Sequence, residues 1–107
     1  MVKALTPTIT MTFPADEVDF SETEHVCFTM TQGSRVVIEK SDAQLALSGN
    51  VAQVWLSQAD TLSLSPGEAK FQLNWTYPAD QAGNVARGGS DVHTMRITEN
   101  LKNEVMT

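Results

Sequence analysis

The sequence predicts an all-β protein, an antiparallel sandwich of about seven strands. Short runs that alternate apolar and polar residues recur roughly every ten residues, with turn-forming residues between them. The chain has 107 residues, the usual size of one domain, so we expect a single domain across residues 1–107. No apolar run is long enough for a membrane helix. An open antiparallel barrel is the alternative with the same pattern.

The first strand is predicted at Thr8–Phe13, TITMTF, where threonines alternate with apolar residues suited to a buried face. Pro14–Glu24 follows as a connection, because proline cannot donate to a sheet and Asp and Glu are poor strand formers. Within this connection we expect Val18 and Phe20 to pack back onto the core.

A hairpin is the clearest local prediction. His25–Thr31 alternates, and alternation resumes in Arg35–Lys40 after the short connector Gln32–Ser34. The connector contains a glycine, which adopts the positive φ of a tight turn without a steric penalty. We expect Val36 and Ile38 on the buried face of the second strand.

The middle of the chain combines one predicted strand with segments whose pattern allows more than one structure. Ser41–Ala46 either starts a helical turn capped by its serine or leads into a strand. Asn50–Ser57 carries apolar residues on both faces and is predicted as a central strand. Ser57–Asp60 is a polar break that could form a helical turn, and Thr61–Ser65 alternates again before a Pro-Gly turn at Pro66.

The strongest strand is predicted at Glu68–Tyr77, where four large apolar residues share one face. Pro78–Ser90 has no apolar periodicity and is predicted as a long, mobile hairpin loop. Asp91–Ile97 returns as the partner of the strongest strand. The last segment, Thr98–Thr107, is interpreted as either a short helical turn or a fraying tail.

Charge and cysteine content exclude several classes of protein. Seven basic and thirteen acidic side chains give a net charge of −6, and the basic residues occur singly. We therefore expect no nucleic-acid partner, because phosphate binding requires a basic face.

The first residues lack the apolar core of a secretory signal, so we expect a soluble protein with no membrane partner. Cys27 has no second cysteine to pair with and is expected to be a small core or strand residue rather than a nucleophile.

The sequence carries no recognisable catalytic or metal-binding pattern. His25 and His93 are the only histidines, and neither belongs to a nucleophile elbow or a metal-ligand motif. We predict no catalytic, cofactor-binding or metal-binding residues, no cofactor and no enzyme activity. An acidic cluster lacks the glycine and spacing of a calcium loop and is expected to be solvated: Asp16, Glu17, Asp19, Glu22 and Glu24. Asn74 begins a glycosylation tripeptide, which we discount because it lies inside a predicted strand.

Aromatic residues supply the candidate binding surface. If Val54 and Leu56 face the core, Trp55 faces outward together with Val51, and an exposed apolar pair on a strand is suited to a subunit interface. The alternative is a sugar platform formed by Trp55, Tyr77 and the Pro78–Ser90 loop.

Five phrases of the sequence also carry a resemblance to a known family. They are the opening strand TPTITMTF, the acidic stretch EVDFSE, the hairpin VCFTMTQGSRVVIEKS, the segment VWLSQADTLSLSPGEAKFQLNWTY and the closing MRITENLKNEVM. Together these phrases span nearly the whole chain, with LSQADTL and QLNWTY the most characteristic. They resemble small structural proteins of tailed bacteriophages and prophages of Gram-positive bacteria.

The resemblance implies an immunoglobulin-like form of the sandwich and a non-catalytic component of the tail, baseplate or neck of a virion. It implies other virion proteins as partners, a homo-oligomer, and a location in the virion or in the host cytoplasm before assembly. Members of the family have a short D-G-x-R turn after this segment, whereas ADQAGNVARGG is longer here, with Gly83 and Arg87 as counterparts. The candidate interface residues are thus Val51, Trp55, Tyr77 and Arg87. The rival interpretation is a carbohydrate-binding or receptor-contacting adhesin module, and a small enzyme comes third.

Overall fold

The protein forms two antiparallel β-sheets that enclose one apolar core. The computed structural model describes residues 6–98. Its strands are β1 (Thr8–Thr12), β2 (His25–Gln32), β3 (Arg35–Ser41), β4 (Ala46–Ser48), β5 (Val51–Trp55), β6 (Gly67–Thr76), β7 (Arg87–Gly89) and β8 (His93–Ile97), and its α-helix is α1 (Gln58–Leu62). The smaller sheet has the order β1-β5-β4. The larger has the order β3-β2-β6, with β7 and β8 both paired to the far edge of β6. The prediction of an all-β antiparallel sandwich is confirmed.

The strand order matches that of an immunoglobulin sandwich. In that fold, strands B, E and D form part of one sheet, and strands C′, C, F and G form the other. Here β1, β5 and β4 occupy the first set of places, while β3, β2, β6 and the β7/β8 segment occupy the second. Within residues 6–98 no strand takes the place of strand A beside β1. The β1 side of the smaller sheet therefore ends on an edge strand.

The first strand and the acidic connection are arranged as predicted. Val18 and Phe20 in the connection are buried. The backbone N–H of Phe20 donates to the carbonyl of Gly49 at 2.7 Å, which ties the connection to the turn between β4 and β5. The ring of Phe13 packs edge-on against Trp75 of the opposite sheet, with ring centroids 5.4 Å apart. These contacts close one end of the sandwich.

The predicted hairpin is confirmed, with one correction. The turn between β2 and β3 uses Gly33 at φ +62°. Met30 pairs with Ile38 but Thr31 pairs with Val36, so β3 carries one extra residue and forms a β-bulge. The extra residue reverses the alternation, and Val36 is 52% exposed while Ile38 is buried. The prediction that both residues share the buried face was wrong for Val36.

The segment after β5 contains the helical turn that the sequence allowed at Ser57–Asp60, and the alternating run Thr61–Ser65 forms no strand. The segment forms α1, because Ser57 and Asp60 cap each other's backbone in a capping box: the Asp60 N–H donates to Ser57 Oγ at 3.1 Å, and the Ser57 N–H donates to Asp60 Oδ2 at 2.9 Å. Lys40 of β3 adds an ion pair to Asp60 at 2.8 Å. The two hydrogen bonds of the capping box and the ion pair to β3 outweigh a brief apolar alternation. The Ser41–Ala46 segment, for which the sequence allowed a helical turn or a lead into a strand, forms a 3-10 turn followed by the start of β4.

The segment that follows β6 is more ordered than predicted. β6 buries its alternate side chains, and Tyr77 packs against the core beyond its end. Within the predicted Pro78–Ser90 loop, Arg87–Gly89 forms β7 and pairs with the last residues of β6. A second bulge, at 90–92, separates β7 from β8 because three residues there face two on β6. The sequence pattern did not predict β7, because this segment is rich in glycine and glycine is depleted in most strands.

The core unites both sheets. Its buried apolar side chains come from β1 and β5 of the smaller sheet, from β2, β3, β6 and β8 of the larger sheet, and from the connections. The predicted return of Asp91–Ile97 as the partner of β6 is confirmed. The prediction for the C-terminal segment falls almost entirely on residues 99–107, which lie outside the described residues.

Candidate interaction surfaces

The outer face of the smaller sheet carries no charged side chain. Strand pairing places Thr8 opposite Trp55, Thr10 opposite Gln53 and Thr12 opposite Val51. It also aligns two residues of β4 with β5 on the same side. We call the following set the neutral face: Thr8, Thr10, Thr12, Ala46, Ser48, Val51, Gln53 and Trp55. The chain as a whole carries a net charge of −6, so a sheet face without charge is a distinct feature of its surface.

Trp55 is the one large aromatic side chain of the neutral face. It is 56% exposed, while its neighbours Val54 and Leu56 are fully buried, as the alternation predicted. Trp55 lines a shallow groove of about 310 Å³ together with Thr8, Gln53 and residues 43–46. An exposed indole surrounded by small uncharged side chains offers apolar contact area and one N–H donor, the combination that is enriched in protein interfaces.

The four candidate interface residues do not form one surface. Val51 and Trp55 lie on the neutral face, at opposite ends of β5, with Val51 half-buried. Tyr77 packs against the core beyond the end of β6. Arg87 is exposed on β7, at the edge of the other sheet. The sugar platform that joined Trp55 and Tyr77 is therefore not assembled within one copy of the described chain.

The outer surface of the larger sheet has a different, charged character. A cavity of about 210 Å³ is lined by residues that include His25, Cys27 and Arg87. The imidazole Nδ1 of His25 lies 3.3 Å from Asp42 Oδ2, and the Sγ of Cys27 lies 3.7 Å from a carboxylate oxygen of Glu39. Each of these two side chains therefore has a carboxylate partner, and neither is hydrogen-bonded to the other.

The electrostatics of this cavity keep the thiol protonated. Burial, the largest cause, raises the pKa of Cys27, and the nearby carboxylate of Glu39 raises it further. The pKa of Asp42 is lowered, mainly by a hydrogen bond from the backbone N–H of Val26 at 3.1 Å and also by His25. A protonated thiol is a weak nucleophile, because the thiolate is the reactive form.

The second histidine lies elsewhere. His93, on β8, stacks on Phe71 with ring centroids 5.3 Å apart and 25° between the ring planes. No group of three or more His, Cys, Asp or Glu side chains within residues 6–98 is arranged to hold a metal ion. Over the same residues, no helix has both the length and the apolar character needed to cross a membrane.

Comparisons with known proteins add no relative: no family model matches the chain, and no curated protein or solved structure is significantly similar to it.

Sequence reasoning found Trp55 and Val51 but missed the rest of the neutral face. The sequence did contain a signal for the neutral face, namely two stretches without charged residues. No Asp, Glu, Lys or Arg occurs from Ala4 to Ala15 or from Ala43 to Ala59, and these two stretches supply all three strands of the smaller sheet. That they lie side by side follows from long-range pairing of β1 with β5.

Proposed function

We propose that this protein is a non-catalytic structural component of a tailed phage or prophage virion that acts through protein-protein contacts made by its neutral face. The observation that carries the proposal is the outward-facing Trp55, 56% exposed, on a sheet face without charged residues. The virion assignment is supported by the sequence phrases that resemble small phage and prophage structural proteins. Tail, baseplate and neck are the regions of the particle to which the resemblance points.

The chemistry of the neutral face favours a protein partner. Protein interfaces are depleted of charge at their centre and enriched in tryptophan, and the residues that dominate binding are surrounded by small contacts that exclude water. Threonine, serine, glutamine and alanine side chains around Trp55 provide such a surround. In a symmetric assembly, the same weak contact repeated many times gives a stable particle through multivalency.

The adhesin alternative gains less support from the geometry. A sugar platform requires aromatic rings presented together, and Tyr77 is partly buried against the core while Trp55 faces solvent on the other sheet. We therefore retain glycan binding as the outcome that would replace the proposal.

The decisive experiment is mass spectrometry of tailed particles purified from cells that carry the gene. We expect the chain in the particles at a fixed ratio to the other structural proteins. Its absence from intact particles would refute the virion role.

The role of the neutral face is tested by substitution. Trp55→Ala should reduce incorporation into particles, because it removes the apolar centre of the contact. The matched control is Val36→Ala, which removes another exposed apolar side chain, 52% exposed, from the opposite sheet. Equal incorporation of both variants would contradict an interface at Trp55. Specific glycan binding that is lost only in Trp55→Ala would favour the adhesin.

A further inference from the structure

The edges of the two sheets are protected unequally. β4 has only three residues, β3 carries charged residues and a bulge, and the β7/β8 edge is broken by a bulge and carries Arg87 and Arg96. Each of these features discourages pairing with another strand. β1, with the sequence TITMT, has no charge, no proline and no bulge. It is the unprotected edge among the described strands.

The backbone of β1 presents its free hydrogen-bonding groups at alternate residues. The Leu56 N–H donates to the Pro7 carbonyl at 3.0 Å, and the Phe13 N–H donates to the Asn50 carbonyl at 3.0 Å. In an antiparallel ladder, the residues between such pairs direct their N–H and C=O groups to the other side. Thr8, Thr10 and Thr12 therefore present these groups along the open edge.

The space beside this edge is open as well. A cavity of about 290 Å³ is lined by residues 9–13 together with Phe71 and His93. It marks the seam between β1 of the smaller sheet and β8 of the larger one. Within residues 6–98, no strand covers this seam.

We propose that β1 pairs antiparallel with β1 of a second copy of the chain, with Thr10 of each copy on a two-fold axis. The two smaller sheets then form one continuous sheet in the order β4-β5-β1-β1-β5-β4. This pairing rests on the proposed assembly role and deepens it by naming one contact and its symmetry.

The sequence of β1 is self-complementary about Thr10. Two-fold pairing sets Thr8 opposite Thr12 of the second copy, and sets Ile9 opposite Met11. Threonines then face threonines on the outer face, where such cross-strand pairs stabilise sheets, and apolar residues meet on the inner face. The three hydrogen-bonded residue pairs supply about six backbone hydrogen bonds.

Charge favours a second copy as the occupant of this edge. The chain carries a net charge of −6, so contact between two copies through most surfaces would bring acidic groups together. The neutral face and the β1 edge are free of that repulsion, because no charged residue occurs from Ala4 to Ala15 or from Ala43 to Ala59. Two copies can therefore meet edge to edge without opposing like charges.

Sedimentation equilibrium of the full chain tests the pairing. We expect a monomer-dimer equilibrium in the wild type. Thr10→Pro should raise the dimer dissociation constant more than about tenfold, because proline removes the central donor and its ring blocks the incoming strand. The Thr10 N–H faces the open edge, so proline removes no hydrogen bond to β5. Thr10→Val keeps the backbone N–H and the branched shape and should dimerise within a few-fold of the wild type.

Disulfide crosslinking tests the register in a Cys27→Ala background, which removes the single native cysteine. The pairing places Thr10 of the two copies opposite each other, with Cα atoms about 5.5 Å apart, a distance a disulfide spans. Thr10→Cys should therefore crosslink under mild oxidation. Thr12→Cys is the matched control, because its counterpart lies roughly 14 Å away along the strand.

The outcomes separate this contact from the broader assembly role. A monomer at every concentration, a dimer unaffected by Thr10→Pro, or equal crosslinking of Thr12→Cys would each overturn the pairing. Presence of the chain in particles, and its loss with Trp55→Ala, would still support the proposed function in those cases. If Thr10→Pro fails to fold, the two cysteine variants decide the question alone.

Discussion

Gly88 lies where the structure has no room for a side chain. It pairs with Trp75 across β6 and β7. A Cβ atom built on Gly88 would approach the indole Nε1 most closely, with Cε2 at 2.6 Å and Cζ2 at 3.0 Å. The indole cannot easily move away, because it is buried and packs edge-on against Phe13 and Phe20 with centroid distances of 5.4 and 5.6 Å. Gly88→Ala therefore forces strand β7 or the aromatic cluster to shift.

The expected loss in the free energy of unfolding of Gly88→Ala is the difference between two effects. Overpacking a close-packed site destabilises a protein by about 1–3 kcal/mol. Replacing glycine by alanine reduces the entropy of the unfolded chain and stabilises by about 0.4–1 kcal/mol where the backbone accepts alanine. We expect a net loss of about 1–2 kcal/mol in the free energy of unfolding, which lowers the Tm by roughly 5–15 °C for a domain of this size.

The neighbouring glycine provides a matched control. A Cβ on Gly89 would meet the Oδ1 of Asn74 at 2.7 Å, but that atom ends an exposed, flexible side chain that can rotate away. Gly89→Ala should thus stay within about 0.5 kcal/mol of the wild type. Urea denaturation followed by circular dichroism measures both variants.

A double-mutant cycle makes the test specific to the aromatic contact. In a Trp75→Phe background the indole edge is absent, so the additional cost of Gly88→Ala should shrink. The explanation fails if Gly88→Ala is as stable as Gly89→Ala, or if its cost is unchanged when Trp75 is replaced.

Three further predictions concern polar contacts. Ser90 is buried at the second bulge, where its Oγ accepts a hydrogen bond from the Leu73 N–H at 3.0 Å. Ser90→Ala should lower the free energy of unfolding by about 1–2 kcal/mol, measured by urea denaturation, and an unchanged stability would contradict this role. Lys40 pairs with the half-buried Asp60 at 2.8 Å, so Lys40→Met should destabilise by about 1 kcal/mol and raise the pKa of Asp60, measured by NMR titration. Burial raises the pKa of Asp60, but hydrogen bonds from Lys40 and Ser57 outweigh burial and hold it below 3.8. The ionised Asp60 therefore stabilises the fold above about pH 4, and this stabilisation is lost as the pH falls through the lowered pKa of Asp60 in the folded state. In Asp60→Asn, the urea midpoint should fall less steeply with decreasing pH than in the wild type. An equal slope in the two proteins would contradict the assignment.

Local alternation predicted most of the strands because side chains on a strand point to opposite faces with a period of two. Thr8–Phe13, the β2/β3 hairpin and β6 were found this way, and so was the outward direction of Trp55. The same reasoning failed where one residue was added to a strand. The bulge in β3 exposed Val36, because a one-residue shift moves a side chain to the other face.

The candidate site was predicted only in part. Trp55 was identified, but Tyr77 and Arg87, grouped with it from composition and resemblance, lie on other parts of the molecule. The threonines of β1 were missed as surface partners of β5. Residues this far apart in the chain become neighbours only when the strands pair, and no local pattern states which strands do so.

The sequence by itself determined a mainly β chain, the position of most strands and the buried side of most of them, because these depend on the pleat of a single strand. The tertiary structure alone decided that two uncharged stretches form one sheet, that β1 is its open edge, and that Gly88 is covered by Trp75. Those features arise from contacts between distant segments. Their stability depends on how well whole faces pack, a property of the assembled sandwich rather than of any one stretch of the chain.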